Sequence, residues 1–194
     1  KKIGNLFIIF PSYQLPGYFI LFFLFMGQQL QASNSELLIT PAALSSANDF
    51  DFLVGYWNVH NRKLKTRLNG CTEWIEFDAK QEMKKILNGL GNTDSFKTIV
   101  DDKPFEGMTL RLFDPATKLW SIYWADSNVG VLDPPVLGSF DNGSGEFYGN
   151  DMFNGKEIMV KFKWDKTDPD RPVWSQAFSE DEGRTWEWNW FMYM

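Results

Sequence analysis

All nine tryptophans of this chain lie after residue 56, on short segments where apolar side chains alternate with polar ones. The clearest such segment is 158–164, which reads Ile-Met-Val-Lys-Phe-Lys-Trp. A period of two is typical of strands with one buried face. Wide aromatic side chains on that face either fill a small barrel or line a pocket inside it. The last segment is predicted to place five large apolar side chains on one face: Trp186, Trp188, Trp190, Met192 and Met194.

Short turns separate these segments from residue 50 onward. Asn142-Gly143 and Asn154-Gly155 favour primed hairpin turns, and Pro115 fixes the backbone of another loop. About nine strands at this spacing predict an all-β fold, an antiparallel up-and-down meander. Closing the sheet into a barrel of about 8–10 strands would bury the aromatic faces and remove the sheet edges. A sandwich is the alternative, although its crossovers need longer loops than most of these.

Charge and composition restrict the partners. The 194 residues are 44% hydrophobic and 23% charged, and the formal net charge is -6. An acidic chain with scattered lysines and arginines argues against nucleic acid and against a basic membrane-binding face. His60 is the only histidine and Cys71 the only cysteine, which excludes a multi-His site, a cysteine cluster and an internal disulfide. We therefore expect no cofactor and no metal.

The first 35 residues form a separate hydrophobic segment, in which Lys1 and Lys2 are the only charges. A positive start, the apolar run 18–26 and a small polar tail are typical of a secretory signal peptide. An uncleaved membrane anchor is the alternative, because the whole uncharged stretch is long enough to span a bilayer. We expect residues 36–49 to be a linker and residues 50–194 to be the barrel, exported to the periplasm or the medium.

Residues 52–57, Phe-Leu-Val-Gly-Tyr-Trp, resemble the F-L-x-G-x-W opening of lipocalin-like and fatty-acid-binding-like barrels, the calycin group. The resemblance implies a barrel whose floor is closed by Trp57. Heme-binding relatives use a His near the C-terminus, which this chain lacks. Four further segments resemble an uncharacterised family of exported bacterial calycin-like proteins: 70–74, 110–115, 120–126 and 186–190. That family has no settled activity, so the resemblance carries over none.

Residues 179–186, Ser-Glu-Asp-Glu-Gly-Arg-Thr-Trp, match the Asp-box hairpin of sialidases and other propellers. In such a hairpin the Ser and Asp side chains bond to turn amides, Gly183 takes a left-handed conformation, and Trp186 packs under the turn. The motif occurs once, and the domain is too short for six blades of about 40 residues each. We therefore interpret it as a structural turn and not as part of a glycosidase.

The sequence predicts no catalytic residue. His60 is expected at the surface or rim, and Cys71 is expected to be an inert buried thiol. No Gly-x-Ser-x-Gly elbow and no phosphate-binding loop is present in the sequence. Enzymatic activity through a pair of carboxylates is therefore only a third hypothesis.

Three polar residues on strand-like segments are candidate ligand contacts. Alternation places Glu73, Arg111 and Gln176 among apolar neighbours, so an inward Glu73–Arg111 pair could hold the polar head of an amphipathic ligand. The alternative is that Arg111 points to solvent and that Glu73 pairs with a neighbouring strand. Four tryptophans are expected to line the same interior: Trp57, Trp120, Trp124 and Trp188.

Two functions are compatible with these residues. The first is an exported binding protein that holds a small apolar or amphipathic molecule in an aromatic interior. The second is a packed barrel that acts as a structural or protein-interaction module at the cell envelope, where the membrane is contacted only through an uncleaved N-terminal segment. The two differ in whether the barrel contains a cavity.

Overall fold

The computed structural model describes residues 38–100 and 102–194. The predicted signal peptide or anchor, residues 1–35, lies outside the described residues. Within them, helical structure is limited to two short 3-10 turns, Asp51–Leu53 and Leu87–Gly89. None of the helices found there is long and apolar enough to cross a membrane.

Ten antiparallel strands form a closed barrel. Each strand pairs with the next along the chain, and the first pairs with the last. This confirms the all-β up-and-down meander, within the predicted range of strand number, and it is compatible with a calycin-like fold. The strands are β1 (Gly55–Leu64), β2 (Trp74–Ile86), β3 (Gly91–Val100), β4 (Lys103–Asp114), β5 (Leu119–Asp126), β6 (Val136–Asp141), β7 (Ser144–Phe153), β8 (Lys156–Asp165), β9 (Val173–Ser179) and β10 (Glu187–Tyr193).

Two hairpins have the turn geometry that the sequence predicts. Asn142 and Gly143, between β6 and β7, have φ values of 45° and 88°. Asn154 and Gly155, between β7 and β8, have φ values of 51° and 77°. Left-handed backbone at two consecutive residues matches the right-handed twist of the flanking strands, and Asn-Gly tolerates it best.

The residues before β1 close one end of the barrel. Phe50 and Leu53 are almost completely buried there. The Phe50 ring meets the rings of Trp120 and Phe140 edge-on, with both centroid distances at 4.9 Å. Trp57 donates its indole N–H to the Leu53 carbonyl at 2.9 Å. Together these side chains form an apolar floor, with Trp57 at its edge.

A bulge in β10 overturns the predicted face of the last segment. Trp188 pairs with Ala177 and Trp190 with Gln176, so Asn189 is an extra residue between them. The extra residue shifts the alternation, as a β-bulge does. Trp190 therefore faces inward, while Trp188 lies outside, where its ring stacks on Phe191 at 6.3 Å.

The Asp-box forms the turn between β9 and β10. Asp181 accepts hydrogen bonds from the Thr185 amide at 2.8 Å and from the Ser179 hydroxyl at 2.8 Å. Gly183 has a φ of 82° and donates its amide to the Ser179 oxygen at 2.9 Å. The Trp186 ring lies against Gly183. These contacts support the structural interpretation of the motif.

We predict that the floor contributes strongly to stability. Replacing Phe50 with Ala should lower the free energy of unfolding by about 3–5 kcal/mol, because it leaves a cavity among packed rings. Urea denaturation followed by tryptophan emission measures this. Leu44→Ala is the control, since Leu44 is 79% exposed. Equal stability of the two variants would contradict the role of the floor.

Candidate ligand-binding cavity

Above the floor the barrel contains a cavity of about 360 Å³. Exposed residues of the loop between β5 and β6, among them Asn128 and Pro134, line its opposite end, so the cavity meets solvent there. Its walls are mainly aromatic. The aromatic residues that line it are Phe96, Phe105, Trp124, Phe153, Phe162, Trp164, Trp174, Phe178 and Trp190.

A buried ion pair crosses the cavity wall between β3 and β4. Arg111 Nη1 lies 2.7 Å from Asp94 Oδ2, with only 4% and 1% of the two side chains exposed. Arg111 also donates to Asn92 Oδ1 at 3.0 Å, and Gln81 donates to Asp94 at 3.1 Å. Three neighbouring strands therefore contribute to one polar network inside the barrel.

The rest of the Arg111 guanidinium lies among aromatic rings. Its Cζ is 5.1 Å from the centroid of the Phe50 ring and 5.9 Å from that of Trp164. Nε of Arg111 is buried and has no hydrogen-bond partner among the described residues. This N–H is enclosed by the surrounding side chains, so it is a local cost of burying the cation.

Two more cations line the cavity nearer its mouth. Lys63 of β1 places Nζ 3.7 Å from the centroid of the Trp190 ring. Arg67, in the loop between β1 and β2, lies 5.3 Å above the Phe153 ring, and its buried Nε has no partner in the described part of the chain. Burial, followed by the charge of Arg67, lowers the pKa of Lys63 to about 8, against the opposing effect of Asp126.

Three carboxylates lie on the other side of the mouth, Asp126, Asp133 and Asp151. Burial raises the pKa of Asp133, and the charges of Asp151 and Asp126 raise it further. No group of His, Cys, Asp and Glu residues within 38–100 and 102–194 is placed to hold a metal ion. The mouth is therefore charged on both sides, whereas the walls beneath it are aromatic.

The predicted contact residues fall into three groups. Arg111, Trp124 and Gln176 line the cavity. Trp120 is fully buried beneath it and Trp57 packs at the floor. Glu73 and Trp188 lie outside the barrel. The structure thus brings three of the seven predicted residues to one cavity, and whether they contact a ligand stays a prediction.

The predicted pairing of Glu73 with Arg111 is wrong. Glu73 precedes β2, which begins at Trp74, so strand alternation does not apply to it. Its exposed carboxylate lies 3.0 Å from Lys65 Nζ. The true partner of Arg111 is Asp94 on β3, which follows the turn-like residues 88–90. Alternation of Asn92, Asp94 and Phe96 was the signal that could have revealed it.

Lys63 and Arg67 were also missed. Lys63 continues the inward alternation of Trp57, Val59 and Asn61 along β1, a signal readable from the sequence. Arg67 lies in a loop, and no local pattern indicates that it folds over the barrel mouth.

The single histidine and the single cysteine of the chain lie outside the cavity. His60 is on the outer face of β1, with Nδ1 2.9 Å from Asp78 Oδ1, at the surface as expected. Cys71 lies in the loop between β1 and β2 and is half-buried, less buried than predicted. The pKa of its thiol is lowered, chiefly by a hydrogen bond with the Thr66 side chain.

No family model matches this chain, and no curated protein matches it. The fold agrees with the calycin resemblance of residues 52–57. Membership of an exported family therefore stays a prediction from the sequence.

We predict that Arg111 cannot be removed alone. Arg111→Leu should lower the free energy of unfolding by about 3–5 kcal/mol, because it leaves the Asp94 carboxylate buried without a counter-charge. Arg111→Leu combined with Asp94→Leu should recover most of that loss. Urea denaturation measures both.

Lys97→Leu serves as the control for this experiment. Lys97 forms an exposed ion pair with Glu106 at 3.2 Å, and such pairs contribute about 0–1 kcal/mol. A double variant no more stable than Arg111→Leu would contradict the argument that the unpaired charge causes the loss.

Proposed function

We propose that the protein binds a small amphipathic molecule inside the barrel, one with an apolar body and an oxygen-bearing polar end. The observation that carries this is one cavity that is lined both by aromatic rings and by two guanidinium groups, those of Arg67 and Arg111. A guanidinium only donates hydrogen bonds, so the ligand group that suits it is an oxygen. Leaving such a donor unpaired costs about 1–3 kcal/mol.

The size and lining of the cavity support a small, largely apolar ligand body. Its volume of about 360 Å³ lies near the lower end of the range of about 300–1,000 Å³ for small-molecule sites. The aromatic walls favour a ligand with a hydrocarbon chain or ring, because removing its apolar surface from water stabilises the bound state.

The charges favour a position for the polar end near Arg67. The positive charge of Arg111 is compensated by the Asp94 carboxylate, 2.7 Å away. Arg67 has no direct ion-pair partner among residues 38–100 and 102–194, and the charge of Glu187 acts on it only from a distance, so its charge is less compensated. A ligand carboxylate or carbonyl should therefore lie toward Arg67, with the apolar body along Trp124 and Trp190.

The interaction-module alternative also has one observation in its favour. On the outer face of β10, Trp188, Phe191 and Tyr193 form a stacked row, with successive centroid distances of 6.3 and 6.4 Å. Tyr193 is 40% exposed. Aromatic side chains of this kind are enriched in protein interfaces.

We predict that decanoic acid and decanol quench tryptophan emission on binding. Trp124→Phe should reduce the quenching, because Trp124 lines the cavity. Trp188→Phe should not, because Trp188 lies on the outer face. No response to either ligand would favour the interaction module.

Arg67→Leu tests the polar contact. The substitution should weaken the binding of decanoic acid by about 1.5–3 kcal/mol, which is the contribution of a hydrogen bond to a charged group. Arg62→Leu is the matched control, because Arg62 lies over Trp74 outside the barrel at 4.5 Å. Equal effects of the two substitutions would contradict the assignment of Arg67.

We also propose that the barrel acts outside the cytoplasm. Support comes from the N-terminal sequence alone: two lysines, an apolar run and a small polar tail. The expected outcome is a mature chain that begins between Gln31 and Glu36, read by N-terminal sequencing of protein from the native host. A retained Lys1 or Phe7 would favour the membrane anchor.

A further inference from the structure

Among the lysines of the described residues, Lys63 is the one that lines the barrel cavity. It takes part in no ion pair and donates no side-chain hydrogen bond in the part of the chain that the structure describes. Its Nζ lies 3.7 Å from the centroid of the Trp190 ring. The amine is thus held over an aromatic face and has no hydrogen-bond or ion-pair partner among the described residues.

Lys166 is a useful comparison within the same chain. Its amine also lies over an aromatic ring, with Nζ 4.3 Å from the centroid of Phe140. Lys166, however, donates a hydrogen bond of 2.7 Å to the Asp49 carbonyl at the floor and does not line the cavity. Position and free hydrogen-bonding capacity therefore distinguish Lys63 from Lys166.

We propose that Lys63 is a nucleophilic amine that captures carbonyl-bearing ligands of the cavity as an imine. The substrate class is a small apolar aldehyde. The inference rests on the proposed function, since the apolar body of the aldehyde would occupy the same aromatic walls. A desolvated lysine next to another cation is the environment in which enzymes generate a nucleophilic amine.

The step balances without an oxidant or a reductant. The neutral amine attacks the carbonyl carbon, the C–N bond forms, and the carbonyl π electrons move to oxygen. That oxygen takes one proton from nitrogen, and the resulting hydroxyl leaves as water with the second nitrogen proton. One amine and one aldehyde give one imine and one water.

The charges around Lys63 favour this step near neutral pH. Burial and Arg67 lower its pKa to about 8 from an ordinary 10.5, while Asp126 opposes them. A larger fraction of Lys63 than of an ordinary lysine is then neutral at pH 7. The Trp190 ring favours the ammonium form, and so do the carboxylates of Asp133 and Asp151 at the cavity mouth. The pH profile of aldehyde capture therefore tests whether burial and Arg67 outweigh these groups.

The experiment traps the imine by reduction. The protein is incubated with decanal and cyanoborohydride at pH 7, and intact mass and peptide mapping locate the decyl group. We expect one decyl group per chain, on the peptide that contains Lys63. The labelling of this peptide should be at least about tenfold higher than that of any surface lysine, because more of the Lys63 amine is neutral. The rate should rise with pH and level off above about 8.

Two variants define the control. Lys63→Met should abolish the preferred adduct, since it removes the amine and keeps an apolar stem. Lys80→Met, on the outer face of β2 beside Asn58, should leave the adduct on Lys63 unchanged. Loss of the adduct in both variants, or its persistence in Lys63→Met, would overturn the assignment.

The remaining outcomes separate this inference from the proposed function. If decanol binds but decanal labels all exposed lysines equally, the nucleophilic role of Lys63 is wrong and the binding function stands. If neither decanol nor decanoic acid binds, the binding function is wrong. Trapping with butanal, which is small enough to need little of the cavity, then tests the reactivity of Lys63 separately. Preferred labelling of Lys63 would support the assignment of a reactive amine, and uniform labelling of the lysines would overturn it.

Discussion

The ion pair of Arg111 with Asp94 is the interaction on which the barrel interior depends. Two charges with almost no exposure are accommodated at least cost when they face each other and hydrogen bonds satisfy their other polar atoms. Asn92 and Gln81 supply one such bond each, which ties β2, β3 and β4 to one arrangement, whereas Nε of Arg111 has no partner among the described residues. Because well-packed apolar residues can replace such a pair at little or no loss of stability, its presence is more easily understood as a requirement of the cavity than as a source of stability.

The aromatic floor and the polar network divide the interior into two regions. Below Arg111, rings from the segment before β1 meet Trp120 and Phe140 edge-on and leave no room for a ligand. Above it lies the cavity, with a mouth where Arg67 and Lys63 face three carboxylates. A molecule that enters must therefore place its apolar part against the walls, because the floor is filled. It meets charged groups near the mouth and at the Arg111–Asp94 pair.

The sequence was sufficient for the fold because its signals are local. Alternation identifies strands, Asn-Gly fixes the hairpins, and short loops imply neighbouring antiparallel strands. The site depends on register, which is not local. Asn92 lies opposite Arg111 only because β3 and β4 pair as they do, and one extra residue at Asn189 moves Trp188 to the outside. A pattern of period two cannot show a bulge, since a bulge interrupts that pattern without a distinctive residue.

The tryptophans illustrate why aromatic content alone overstates a binding site. Trp120 is fully buried in the floor, whereas Trp124, Trp164, Trp174 and Trp190 line the cavity. Others lie outside and cover charged side chains, as Trp74 does beneath Arg62 at 4.5 Å. Only the second group can contact a ligand, and in that group Trp190 also holds a cation, Lys63. The chemistry of the cavity therefore follows less from the number of rings than from the few polar atoms that those rings leave without a partner.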